Sequence, residues 1–139
     1  MKRLFLNQST KKYFSRLIEP MGLNDEQFAI QETAMNWGKE KLLPYSLEWD
    51  SKSFFPKDVI KESSDLGFGG LFVGEEVGGA GLGRLEGSLV FEALSYSCVP
   101  TSAYLSIHNM VNSLIFKHGD KEMINDLCPS LSSFQLFSS

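Results

Sequence analysis

Cysteine is scarce in this chain of 139 residues: Cys98 and Cys128 are the two present, and they form no C-x-x-C pair. That spacing excludes a thioredoxin-type redox motif and leaves reduced, structural thiols as the expectation. A structural zinc site takes four ligands, and the two histidines, His108 and His118, stand at no ligand spacing from the cysteines. His118, next to Gly119 at an expected helix end, is read instead as a residue that favours the helix dipole. Long apolar runs are missing as well. None approaches the roughly 20 residues of a membrane span, so no membrane helix is expected. Neither a repeat period, nor a coiled-coil heptad, nor a sustained strand-like alternation is visible, which leaves helices as the dominant element.

Acid is missing from the first eighteen residues. Over the first twenty, Lys2, Arg3, Lys11, Lys12 and Arg16 stand against Glu19, giving +4, so the net −4 of the chain places −8 on the remainder. An acidic body argues against a nucleic-acid surface, which needs clustered Lys and Arg on the folded part. The basic end, with Ser9, Thr10 and Ser15 and with Leu6, Tyr13 and Leu17 able to share a helical face, has the chemistry of a mitochondrial presequence. The alternative is a basic tail that carries no address. A secretory signal is not expected, because Asn7 to Lys12 interrupts the apolar stretch such a signal needs.

The 42% hydrophobic content at this length suffices for one modest core. The body is expected to open with a helix at Asn24, where Gln27 occupies the capping-box position and Leu23 with Phe28 can form a hydrophobic staple. Phe28, Ile30, Ala34, Met35, Trp37 and Leu42 supply its apolar face, and Pro44 stops or kinks it. Pro56 suits the start of a second helix, with Val59, Ile60 and Leu66 inward and Gly67 at its end. A third has Leu82, Leu85, Leu89, Ala93 and Tyr96 on one face until Val99 and Pro100 break it. The fourth takes Thr101 or Ser102 as cap, turns Ala103, Ile107, Met110, Val111 and Leu114 inward and closes at Gly119. A last short helix runs from about Asp120 to Cys128, ended by Pro129. The predicted fold is therefore all-α, a small bundle of about five helices.

Between the second and third helices lies "GFGGLFVGEEVGGAGLG", with four glycines in six residues at Gly78, Gly79, Gly81 and Gly83. Phosphate cradling needs successive backbone N–H groups converging at a helix N-terminus. The spacing fails that test. A G-x-G-x-x-G read from Gly79 meets Arg84 at its last position, one read from Gly67 meets Phe72, and no Gly-Lys-Ser/Thr ending exists for a P-loop. A tight, close-packed turn between helices is the expectation, because glycine admits positive φ and close backbone approach.

The order "LGFGGLFVGEEVGGAGLGRLEGSLVFEALS" followed by "TSAYLSIHNM" resembles the N-terminal helical domain of the acyl-CoA dehydrogenase family, in which a Gly-Gly-x-Gly-Leu turn joins helices. "EWD" at Glu48 to Asp50, "LGFGG" at Leu66 to Gly70, "FEAL" at Phe91 to Leu94 and "LSIHN" at Leu105 to Asn109 are similar to the branch acting on short branched acyl groups. The resemblance covers roughly residues 22 to 137. It divides the chain into a presequence-like end at 1–22, a helical domain at 23–131 and a lead-in to a sheet domain at 132–139.

The resemblance implies a mitochondrial matrix flavoenzyme that introduces a Cα–Cβ double bond into an acyl-CoA thioester. In that family a carboxylate takes the α-proton while flavin N5 of FAD takes the β-hydride. Desolvation and hydrogen bonds to the thioester oxygen stabilise the developing enolate. The family continues past a point such as Ser139 into a sheet domain that holds FAD and a second helical domain that holds the catalytic glutamate. No catalytic residue is therefore assigned here, Glu75, Glu76, Glu86 and Glu92 included, and the chain by itself is expected to bind no FAD and to be inactive. The carried-over substrate site is Ala103, Tyr104, Ile107 and Val111 on one side of a helix, a pattern equally consistent with plain core packing. A bulky Tyr104 would shorten an acyl pocket and favour small branched groups. Implied partners are the acyl-CoA substrate and either further copies or a full-length paralogue. The alternative reading is a non-catalytic helical module that docks on full-length subunits through an apolar face.

Overall fold

The computed structural model describes residues 22–138, so the basic segment read as a presequence lies, through residue 21, outside the described residues. Six α-helices and no strand occur among the described residues: α1 Asp25–Trp37, α2 Ser46–Ser51, α3 Lys57–Glu62, α4 Arg84–Ser95, α5 Val99–His118 and α6 Lys121–Ser132. The all-α bundle is as expected.

Local chemistry explains several helix ends. Asn24 Oδ1 accepts from Gln27 N at 2.8 Å while Gln27 Oε1 accepts from Asn24 N at 3.2 Å, the reciprocal capping box that the sequence called for. The same Gln27 donates from Nε2 to Glu86 on α4 at 2.8 Å, so the cap also ties α1 to its neighbour. Past Trp37 the helix widens into a π-helical turn, Gly38–Leu42, before Pro44. Helix α3 tightens into a 3₁₀ turn, Ser63–Leu66, and Gly67 ends it at φ 76°. Asp120 caps α6 by accepting from Met123 N at 2.8 Å.

Helix α1 packs on α4, α4 on α5, and α5 on α6. The main core lies between these layers and includes Ala34, Leu42, Ile60, Leu94, Leu105 and Phe134. Each fully buried Leu or Ile there contributes about 1.5–3 kcal/mol. Phe68 meets Trp37 edge-on at 5.8 Å and anchors the glycine-rich segment to α1. A smaller cluster of Val73, Val77 and Cys128, flanked by Ile115, Phe116 and Ile124, seats the same segment on α5 and α6. Both cysteines are free and buried.

Several expectations are corrected. Residues 46–51 form a short helix of their own, for which no helix was expected. Phe28, Leu66, Leu85 and Tyr96 face solvent. In α4 Leu89 and Ala93 are buried as expected, and Gly87, Val90 and Leu94 complete the buried face in place of Leu85 and Tyr96. Cys98 occupies the cap position of α5. Thr101 and Ser102 are buried inside its first turn, where Cys98 Sγ and Thr101 Oγ1 lie 3.1 Å apart. Pro129 does not end the last helix. The chain stays helical to Ser132 because Leu131, Ser132 and Phe134 are all buried, and that burial offsets the roughly 3 kcal/mol an interior proline costs.

Candidate functional site

Helix α5 carries the four residues singled out from the sequence, and it is turned opposite to its apolar pattern. Ala103 and Ile107 are exposed, with Ile107 at 42%, and Val111 and Tyr104 are half-buried. Met110 at 59% and Leu114 at 61% extend the same outward stripe, so the expected inward placing of Ala103, Ile107, Met110 and Leu114 is corrected. The buried face is instead Ser102, Leu105, His108, Asn109, Asn112 and Ser113.

Burial of so many polar groups requires partners, and the glycine-rich segment supplies two for Asn109 and one for Asn112 Nδ2, while Asn112 Oδ1 is buried without one. Asn109 Oδ1 accepts from Leu71 N at 2.7 Å, and its Nδ2 donates to Phe68 O at 2.8 Å and Leu105 O at 2.9 Å. Asn112 Nδ2 donates to Gly69 O at 3.2 Å and to Ser132 Oγ at 3.1 Å. An irregular backbone pressed against a helix leaves N–H and C=O groups that no ladder satisfies, and carboxamides reach both kinds. The signal was present in the sequence as a second stripe, Ser102, Leu105, Asn109 and Asn112, at helical spacing.

The same bonding decides the phosphate question. Gly78 N donates to Glu75 O, Gly79 N to Gly74 O, Ala80 N to Gly70 O, Gly81 N to Val73 O and Leu82 N to Leu71 O, all between 2.7 and 3.0 Å. These five N–H groups are spent within the segment, so they do not converge on an anion. Gly79 is required for another reason: a Cβ there would collide with the carbonyl group of Val73. At α4 the Phe72 ring lies directly on Gly87 and beneath Arg84, whose guanidinium carbon is 4.4 Å from the ring centroid.

Around Tyr104 an aromatic cluster forms. Phe55 meets Tyr104 at 4.7 Å, Phe137 lies 6.3 Å from it, and His108 stands 5.9 Å away on the same helix. Burial pushes the Tyr104 hydroxyl above its ordinary 10.0. His108, fully buried, places Nε2 3.0 Å from Leu131 O, and a carbonyl accepts only, so Nε2 carries the proton. Nδ1 is then an acceptor, facing Ser138 N at 3.3 Å and Ser138 Oγ at 3.1 Å. Burial is the largest influence on its pKa and lowers it below the ordinary 6.5, against the opposing pull of the Leu131 carbonyl. With both nitrogens engaged inside the fold, His108 is held in a single tautomer. Glu86 is held below the usual carboxylate range by the Gln27 hydrogen bond first, then by backbone N–H groups at the start of α4.

Beside this cluster a cleft of about 190 Å³ opens between α2 and the start of α5, walled by Trp49, Phe54, Phe55, Pro56, Cys98 and Thr101. It falls below the roughly 300–1,000 Å³ of sites that enclose a cofactor or drug-sized ligand. No group of three or more metal-binding side chains occurs among the described residues, and no helix among them is long and apolar enough to cross a membrane. Chemically, the arrangement offers a shaped apolar and aromatic helix face and holds it rigidly from behind.

Residues 24–135 match the family model described as acyl-CoA dehydrogenase, N-terminal domain. The chain is 45% identical over 123 residues to the mitochondrial isobutyryl-CoA dehydrogenase of Bos taurus, covering 88% of this chain and 30% of that protein. With the mitochondrial isobutyryl-CoA dehydrogenase of Dictyostelium discoideum the identity is 40% over 138 residues, covering 99% and 33%. Among solved structures, butyryl-CoA dehydrogenase from Megasphaera elsdenii superposes with a TM-score of 0.76 at 25% identity, over 84% of this chain and 32% of that one. The chain thus spans about a third of the length of the curated relatives it matches.

Proposed function

The chain belongs to the acyl-CoA dehydrogenase family through its N-terminal domain, and on that premise we propose that it is the N-terminal helical part of an enzyme that α,β-desaturates short branched acyl-CoA thioesters. The observation that carries the reading is the 45% identity to a protein named isobutyryl-CoA dehydrogenase, sustained over 88% of the chain. In the whole enzyme FAD would act as the oxidant, held by parts beyond the described residues. The role of this chain is positional. Ala103, Tyr104, Ile107 and Val111 line the acyl site, with Tyr104 narrowing it for small branched groups. The asparagines behind α5 hold that face rigid. By this reading residues 1–22 direct the protein to the mitochondrial matrix, and further copies assemble with it.

The test is a chimera in which residues 24–135 replace the matching part of the Bos taurus enzyme. Dye-linked dehydrogenation of isobutyryl-CoA is expected to exceed that of straight-chain hexanoyl-CoA. A folded, flavin-loaded chimera that turns over neither, or that prefers hexanoyl-CoA, refutes the reading. The 139-residue chain by itself is expected to purify colourless and without dehydrogenase activity.

The outward stripe of Ile107, Met110 and Leu114 favours a second reading, a non-catalytic helical module that docks on full-length acyl-CoA dehydrogenase subunits. Co-purification with such a subunit supports it. A monodisperse monomer that retains no subunit refutes it.

A further inference from the structure

His108 occupies a junction of three segments. Its ring lies on α5, its Nε2 donates to Leu131 O near the end of α6, and its Nδ1 faces Ser138 in the segment that follows. Leu131 O can only accept and Ser138 N–H can only donate, so two backbone groups from different places fix one tautomer. The segment is also held by Leu136 N, which donates to Ser130 O at 2.9 Å, and by rings: Phe134 stacks on His108 at 4.7 Å, and Phe137 contacts Phe134 at 5.6 Å, Phe55 at 6.2 Å and Tyr104 at 6.3 Å.

We propose that His108 is a pH-gated latch, closed on Ser138 while the imidazole is neutral and opened when Nδ1 takes up a proton. The proton would convert the acceptor that faces Ser138 N–H into a second donor. The Ser138 hydroxyl can turn round to accept, but the backbone N–H cannot. Groups facing the ring divide as follows. The Leu131 carbonyl from α6 and the Phe134 ring favour the cation, while Ser138 N–H opposes it; Lys57 of α3 lies over the neighbouring Phe137 ring, 5.7 Å from its centroid. Tyr104, the titratable neighbour on α5, has its hydroxyl 3.5 Å from Nδ1. None of the ion pairs among the described residues involves His108, so no carboxylate compensates a buried imidazolium. Burial accordingly disfavours the cation in the closed form. Opening would free Phe137 and remove one wall of the aromatic cluster around Tyr104, whatever ligand that cluster serves.

Nuclear magnetic resonance on the whole ¹⁵N-labelled chain tests this. At pH 7.5 the His108 ring is expected to show the Nε2–H tautomer, and the Phe137 and Ser138 amides are expected to have rigid-backbone heteronuclear NOE values. On acidification those NOE values should fall together with the midpoint of His108 ring titration. His108→Gln should abolish the pH response of Ser138. Should that variant fail to fold, Ser138→Pro removes the backbone N–H that opposes the proton and should raise the midpoint by about 0.5–1 pH unit, the equivalent of one lost hydrogen bond. An Nδ1–H tautomer at pH 7.5, a Ser138 NOE unchanged through the ring titration, or an unmoved midpoint in Ser138→Pro overturns the proposal.

Discussion

Replacing Asn109 by alanine should destabilise the chain far more than replacing Met110 beside it, the reverse of what apolar periodicity alone would say. Asn109 is 1% exposed and makes three hydrogen bonds through its carboxamide. Removing that group strips the partner from the Leu71 N–H and the Phe68 carbonyl, both backbone groups of the irregular segment. Leu105 O loses a second bond only, because an α-helix already supplies it with one from the residue four positions on. Leaving a buried polar group unsatisfied costs about 1–3 kcal/mol, so two orphans cost about 2–6 kcal/mol. Alanine gains about 0.5 kcal/mol of helix propensity, and a water entering the vacated space would recover part of the remainder. A net loss of about 2–4 kcal/mol is expected, a large share of the 5–15 kcal/mol typical of a folded domain. Met110, 59% exposed, should cost no more than about 0.5 kcal/mol when cut to alanine. Urea unfolding followed by circular dichroism reads both. With a slope near 1–3 kcal/mol/M, Asn109→Ala should lower the midpoint by about 1–2 M and Met110→Ala by a few tenths. A loss below about 1 kcal/mol for Asn109→Ala, or a larger loss for Met110→Ala, would refute the assignment of the polar face as the structural one.

Three further outcomes are expected. Gly87→Ala places a methyl where the Phe72 ring now lies, so despite about 1 kcal/mol of gained helix propensity it should destabilise by about 1–2 kcal/mol net in the same assay. His108 has a folded pKa below its ordinary 6.5, so its contribution to stability is full above that value and is lost as pH falls through the folded pKa. Thermal melts between pH 7.5 and pH 5 should therefore drop more steeply for the natural chain than for His108→Gln. In the chimeric enzyme, Tyr104→Ala should extend turnover toward longer acyl chains, and an unchanged chain-length profile would count against Tyr104 as a wall of the acyl site.

Much of the fold was legible from local rules because local chemistry decided it. Asn24 with Gln27 marked the start of α1, Asp120 the start of α6 and Gly67 the end of the 3₁₀ turn after α3, each through a cap or a φ that few residues accept. The glycine cluster was legible as a turn and not as a phosphate loop, since motif spacing is a property of the chain. Helix α2 was not legible: it is a six-residue helix with no side-chain cap and no buried residue. The end of α6 misled for a different reason. Pro129 is a strong local stop signal, but Leu131 and Phe134 beyond it gain more from the core than the proline costs.

By itself the sequence determined the helical class, the family and the place of the irregular segment, because each is written in residues close together along the chain. Which face of α5 lies inside was decided only in three dimensions. Periodicity counts apolar atoms, and α5 has an apolar stripe to offer. But the glycine-rich segment folds against the same helix and brings the N–H of Leu71 and the carbonyls of Phe68 and Gly69, which must be satisfied out of water. Asn109 and Asn112 satisfy them from a distance of about forty residues in sequence, and their burial turns Ile107, Met110 and Leu114 outward. An unsatisfied buried peptide group costs more than an exposed methyl, and that inequality oriented the helix.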